Sequence, residues 1–125
     1  MRKGRTLRWT SWALSVAVAA VFVMSAAMKL RGGGSLDEGF AHLGIPIALA
    51  VPLAILELAC VAAYLVPATS ILGAILLTGY LGGAICTHWR VGDPFAVQVS
   101  LGILVWLALY LREPRLRALI PLRSR

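Results

Sequence analysis

A chain of 125 residues carrying a net charge of +7, with 60% hydrophobic and only 14% charged residues, has room for one compact unit and little for a soluble surface. Such a charge on a soluble protein would suggest nucleic acid. Here nine of the twelve basic residues sit at the two chain ends, which excludes a nucleic-acid surface as the reading of the charge. Four apolar stretches, 9–30, 45–66, 68–87 and 94–111, each come near the roughly 20 residues that cross a hydrocarbon core. The expected fold is therefore all-α, an integral membrane four-helix bundle forming a single domain over residues 1–125, multi-pass in the cell membrane.

Arg2, Lys3, Arg5 and Arg8 precede the first span, and Arg112, Arg115, Arg117, Arg123 and Arg125 follow the last. The positive-inside rule then puts both termini in the cytoplasm, as an even number of crossings permits. The same charges favour anionic lipid headgroups, at about 1 kcal/mol per charge near the surface. The first span has a rival reading. Its basic start, apolar core and small triplet Ser25-Ala26-Ala27 look like a signal peptide with a cleavage site. The uncharged run is nevertheless long enough to span, and Lys29 and Arg31 mark its outer end.

The first outer loop opens with Gly32, Gly33 and Gly34, and Ser35 with Glu38 fits a capping box for a short interfacial helix. Leu36, Phe40 and Leu43 share one face of that helix, and Gly44 with Pro46 stops it. It is expected to cover the outer mouth of the bundle or to lie in the headgroups as a connector.

Glu57 lies mid-span among apolar neighbours, where a charged group costs about 2.5 kcal/mol or more on insertion scales. It must be protonated, paired or facing a wet cavity. Cys60 and Tyr64 follow on the same helical face, so a thin polar stripe runs inward from it. Thr78 and Tyr80 on the third span reach comparable depth, and Lys29 can snorkel outward or turn inward. Two readings stay open for Glu57: a functional acid, or a neutral carboxyl clamped by Thr78.

A tight turn around Pro67, Ala68 and Thr69 joins spans two and three. In the third span, Gly79 and Gly83 form a small-xxx-small pair, read as close packing within the chain in preference to a homo-oligomer seam. The cysteines, Cys60 and Cys86, form no CxxC motif. Cys60 lies about 22 Å below the outer end of its span, at 1.5 Å per residue, while Cys86 lies at the outer end of the next. A disulfide needs Cα atoms within about 7 Å. Two buried thiols packing as small hydrophobes are expected instead.

The second outer loop, His88-Trp89-Arg90-Val91-Gly92-Asp93-Pro94, is the densest cluster of chemistry in the chain. Asp93 and Pro94 read as N-cap and first-turn proline of the fourth span. Arg90 can neutralise Asp93 or a lipid phosphate, Trp89 suits an interfacial belt, and His88 can relay protons. Cys86, His88, His42 and Asp93 match no fixed metal motif, so no resident metal is expected. The basic tail 112–125 alternates arginines with Leu116, Leu119 and Ile120, as an interfacial anchor does.

The segment Thr-Gly-Tyr-Leu-Gly-Gly-Ala-Ile-Cys-Thr-His-Trp-Arg-Val-Gly-Asp-Pro at 78–94 resembles the hallmark of the DoxX-like small membrane proteins. Lys29-Leu30, the stretch Phe40 to Pro46, the mid-span Glu57 and the stretch Leu111 to Arg117 fit the same pattern. The resemblance implies a four-helix bundle related to the DoxD subunit of quinone-linked sulfur oxidation and to membrane partners of oxidoreductases. It also favours retention of the first span.

Taken together, the residues and the resemblance lead to an accessory membrane component of an oxidoreductase system with a quinone or lipid-like ligand site. The candidate ligand or proton-active residues are Glu57, His88, Tyr80, Lys29, Arg90, Asp93 and Thr78. Glu57, Tyr80 and His88 can exchange protons or hydrogen bonds with a ring, and Lys29 and Arg90 can hold an anionic head. No haem-ligand pair, iron–sulfur spacing or flavin motif is present, so a soluble or membrane oxidoreductase partner has to supply electrons. The alternatives are a non-catalytic scaffold or lipid-binding subunit that docks a partner and, less favoured for want of an inverted repeat, a small-solute transporter.

Overall fold

The structure is a computed structural model that describes residues 2–123; Met1, Ser124 and Arg125, and with them the end of the expected basic tail, lie outside the described residues. The long helix α1 occupies Arg2–Arg31, and Lys29 and Arg31 in its last turn complement the helix dipole. The short α2 spans Gly34–Leu43. A single 3-10 turn at Ile47–Leu49 leads into α3, Ala50–Leu65, and another at Pro67–Thr69 leads into α4, Ser70–Arg90. Helix α5 spans Ala96–Arg112, and the one-turn α6 spans Pro114–Arg117. No strand is present among the described residues.

Four of these helices close a ring: α1 packs on α3, α3 on α4, α4 on α5, and α5 back on α1. Arg2–Arg31, Ile47–Leu65 and Pro67–Arg90 are long and apolar enough to cross a membrane. The fourth expected span, 94–111, is instead a shorter apolar helix of 17 residues, α5, which starts two positions later than read. At about 1.5 Å per residue it measures roughly 25 Å, a little under the hydrocarbon thickness.

Polarity is distributed as lipid demands. Large apolar side chains such as Val16, Met24, Ile55, Leu72 and Ile103 face outward, whereas Ser11, Ser15, Glu57 and Ser70 are buried. An aqueous protein would hide the first set and expose the second. The core runs through Val18, Phe22, Cys60, Tyr64, Leu77 and Leu109. Tyr64 is fully buried, and its hydroxyl is satisfied by donating to the Val105 carbonyl at 2.8 Å. The first helix contributes Val18, Ala19, Phe22 and Ala26 to the interior and is an integral wall of the bundle.

Close approach of α3 and α4 depends on Gly73, where a Cβ would stand 2.2 Å from the Tyr64 backbone nitrogen. Only a glycine lets these two backbones touch. The Gly79/Gly83 pair does not do this work. A Cβ at either would meet nothing within 4 Å, so the reading of that pair as an in-chain packing seam is wrong. Helix periodicity identifies a small-residue face but does not say which way the face turns.

The start of α1 and the end of α5 come to one end of the bundle, where the first turns of α1, the α3–α4 turn and the α5–α6 junction line a common cavity. The opposite end carries α2 and the α4–α5 loop, tied together by a hydrogen bond from Arg90 to the Leu43 carbonyl. Helix α2 is seated by Phe40, its one buried residue, and ends at Gly44 in the left-handed conformation (φ 71°), as glycine permits. Its start differs from the capping-box reading: Gly33 is the N-cap, at φ 114°, and no side chain caps the helix. The glycine run lets α2 begin one residue before Ser35 could cap it.

Candidate functional site

Halfway along α3, Glu57 is 1% exposed, with Ala54, Cys60, Val61 and Tyr64 buried on the same side of the helix. The inward stripe read from the i, i+3, i+7 spacing is therefore real. Three donors converge on one carboxylate oxygen of Glu57, Oε2. Lys29 Nζ from α1 lies at 3.0 Å, the Ser25 hydroxyl from α1 at 3.3 Å, and the Tyr80 hydroxyl from α4 at 3.3 Å. Lys29 also donates to the Ser25 hydroxyl at 2.6 Å, which lets Ser25 accept from the ammonium and donate to the carboxylate.

Lys29 comes from the last turn of α1 and turns inward; its side chain is only 14% exposed against 2% for Glu57. An ion pair removed from water needs good geometry and further hydrogen bonds to offset desolvation, and Ser25 and Tyr80 supply them. The bonds fall unevenly. All three bonds reach Oε2, and none among the described residues reaches Oε1. The cluster therefore presents an ammonium, two hydroxyls and one carboxylate oxygen with acceptor capacity to spare.

Of the seven residues singled out from sequence, Glu57, Lys29 and Tyr80 meet in this cluster. The other four lie elsewhere. Thr78 donates to the Ala74 carbonyl and accepts from Trp106 Nε1, both at 2.7 Å, so of the two readings left open for Glu57 the clamp by Thr78 does not hold. Two residues along a helix turn the side chain by about 200°, which separates Thr78 from Tyr80. His88 Nδ1 bonds the Ala84 carbonyl of its own helix at 2.8 Å.

Arg90 does not neutralise Asp93. It holds Leu43, while Asp93 pairs with His42, both carboxylate oxygens standing 2.9 Å from Nε2. Nor is Asp93 the cap of α5, which begins at Ala96 after Phe95. These contacts fasten α2 to the α4–α5 loop. Trp89 is exposed and tilts against Phe95 with ring centroids 5.3 Å apart, as suits a side chain at an interface. Both cysteines are free thiols, with Cys60 in the core; Cys86 is exposed, not buried as read. Among the described residues no group of three histidine, cysteine or acidic side chains is placed to hold a metal ion.

Ser25 escaped the sequence reading because the small triplet around it suggested a cleavage site. Its spacing of four from Lys29 held the signal, since i and i+4 share a helix face. Trp106 had no such signal, because its indole reaches Thr78 only across the α4–α5 contact.

A model of the DoxX-like family matches residues 13–110, which take in the whole Lys29–Glu57–Tyr80 cluster and both loops at the far end of the bundle. No curated protein and no solved structure matches the chain.

Proposed function

The chain belongs to the DoxX-like family, and we propose that it serves as an accessory membrane component of an oxidoreductase system whose ligand site is the Lys29–Ser25–Glu57–Tyr80 cluster. The observation that carries this reading is a buried carboxylate with every donor on one oxygen, at mid-depth in an apolar bundle. Intramembrane ionisable groups are costly, and they mark ligand or proton sites more often than they stabilise. A quinone or a similar lipid-like molecule with ring oxygens fits this donor set. When bound, a quinone supplies two-electron, two-proton chemistry, with the electrons coming from an oxidoreductase partner.

The protein's part is narrower. Lys29 Nζ and the Tyr80 hydroxyl donate to a ring oxygen, Glu57 holds or yields a proton at Oε1, and the apolar helix faces exclude water and accept a tail. His88, Arg90 and Asp93 stand outside this set. With the basic start of α1 and the basic α5–α6 junction at one end of the bundle, the positive-inside rule assigns that end to the cytoplasm and the α2 end to the outer face of a multi-pass cell-membrane protein.

A scaffold reading has its own support. The cavity at the basic end does not adjoin Glu57, and the α2 end is knit by Arg90–Leu43 and His42–Asp93 into a single outer surface fit for docking. To separate the two, the protein is purified in a mild detergent and co-purifying small molecules are identified by mass spectrometry, comparing wild type with Glu57→Gln, Tyr80→Phe and His88→Ala. The redox-site reading expects a near-stoichiometric quinone that is lost in the first two variants and kept in the third. A protein carrying only bulk phospholipid, unchanged by all three, overturns it in favour of the scaffold.

A further inference from the structure

At the end of the bundle opposite α2, a cavity of about 410 Å³ opens between the first turns of α1, the start of α4 and the α5–α6 junction. Its lining includes Arg8, Trp12, Ser70, Arg112, Glu113 and Arg117. Three arginines and one glutamate thus line the cavity. That carboxylate is partly engaged, because Glu113 Oε1 caps α6 by accepting the Arg115 backbone N–H at 3.1 Å.

Arg112 is held as a fixed donor. Its guanidinium lies 4.5 Å from the Trp12 ring centroid and 4.9 Å from that of Tyr64, and Nη2 donates to the Tyr64 carbonyl at 2.7 Å. Nη1 is buried and has no hydrogen-bond partner among the described residues. A charged donor removed from water without an acceptor is unstable unless a ligand supplies one. Stacking on two rings and one carbonyl bond fix the plane of the fork, the arrangement in which arginine best meets two oxygens of a phosphate.

The geometry points to a phosphate-binding pocket built by Arg8, Arg112 and Arg117, occupied by the phosphate of an anionic phospholipid headgroup at the basic face of the bundle. The volume falls within the range of small-ligand sites, and leaves room for a headgroup beyond the phosphate itself. Trp12 and Leu7 provide the apolar wall along which the glycerol end passes toward the acyl chains. Basic pockets between spanning helices commonly hold such headgroups, whereas a diffuse patch of exposed arginines only raises the local lipid concentration. This site is distinct in place and in ligand from the Glu57 cluster.

The test measures binding by native mass spectrometry of the full chain in detergent, titrated with phosphatidylglycerol, with phosphatidylcholine, or with phosphatidylglycerol in the presence of inorganic phosphate. Wild type is expected to retain one phosphatidylglycerol in preference to phosphatidylcholine. Arg8→Gln with Arg117→Gln is expected to weaken it about a hundredfold, as the loss of two charge-assisted hydrogen bonds does. Arg112→Lys, which keeps the charge and loses the fork, is expected to weaken it about tenfold. The control pair Arg2→Gln with Lys3→Gln removes as much charge outside the cavity and is expected to cost about tenfold or less at physiological salt, where exposed charges are screened.

Displacement of the lipid by millimolar inorganic phosphate supports the phosphate site but assigns it to a soluble phosphate. Equal losses in the cavity pair and the control pair, or equal retention of phosphatidylcholine, overturn the proposal.

Discussion

Glu57, buried halfway along α3, and Arg112, half-buried at the end of α5, are both charged groups, yet the fold treats them in opposite ways. Glu57 is answered by a countercharge, Lys29, and by two hydroxyls, all contributed by neighbouring helices. Arg112 makes no ion pair among the described residues; it rests on two aromatic faces and one carbonyl, with a second donor left over. The difference lies in where each charge sits. At mid-depth no solvent or headgroup can be borrowed, so the compensation is built in. At the end of the bundle Arg112 lines an open cavity, so part of the compensation can be left to solvent.

The largest effect should come from stranding the buried acid. Lys29→Met removes the countercharge and leaves Glu57 1% exposed without its ammonium. A loss of about 3–5 kcal/mol is expected, read as the midpoint of unfolding in a denaturing-detergent titration followed by circular dichroism. Adding Glu57→Leu to that variant should recover most of the loss, because the unpaired charge is then gone. Arg112→Met, by contrast, breaks no ion pair and should cost about 2 kcal/mol through lost stacking and one carbonyl bond. Equal costs for Lys29→Met and Arg112→Met would erase the distinction between the two charges.

Next in size is the helix contact that positions both. Gly73→Ala drives a methyl into the Tyr64 backbone, and Tyr64 in turn carries the carbonyl that fixes Arg112. A destabilisation of about 3 kcal/mol is expected, while Gly79→Ala, which meets open space, should be neutral or slightly stabilising through helix propensity. Thermal melts of the two variants side by side decide this. Greater damage from Gly79→Ala would mean that α4 turns its Gly79 face, and not Gly73, toward a neighbouring helix.

The smallest effect is expected at the far end. Asp93→Asn weakens a contact whose histidine side chain is 58% exposed, and should lower stability by no more than about 1 kcal/mol. Its readout of interest is the seating of α2, through hydrogen exchange of the amides around Phe40. Unchanged exchange there would mean that Arg90 and Phe40 hold α2 without help from the His42–Asp93 pair.

Much of this protein was legible as sequence. Apolar length alone marked the four bundle helices, the i, i+3, i+7 spacing turned Glu57, Cys60 and Tyr64 to the interior, and the expense of a mid-span acid singled out Glu57. These are properties of one helix at a time, set by the bilayer thickness and the 3.6-residue period, and a single chain reports them without knowing its neighbours.

What the tertiary structure alone decided are the pairings between helices. It chose Lys29, Ser25 and Tyr80 over Thr78 as partners of Glu57. It gave the close contact of α3 and α4 to Gly73 and turned the Gly79/Gly83 face outward. It matched Asp93 with His42 and not with Arg90, and it stacked Arg112 between Trp12 and Tyr64. Each choice depends on the rotation and depth of one helix against another, which a rise of about 1.5 Å and a turn of about 100° per residue convert from a one-position shift into a different partner.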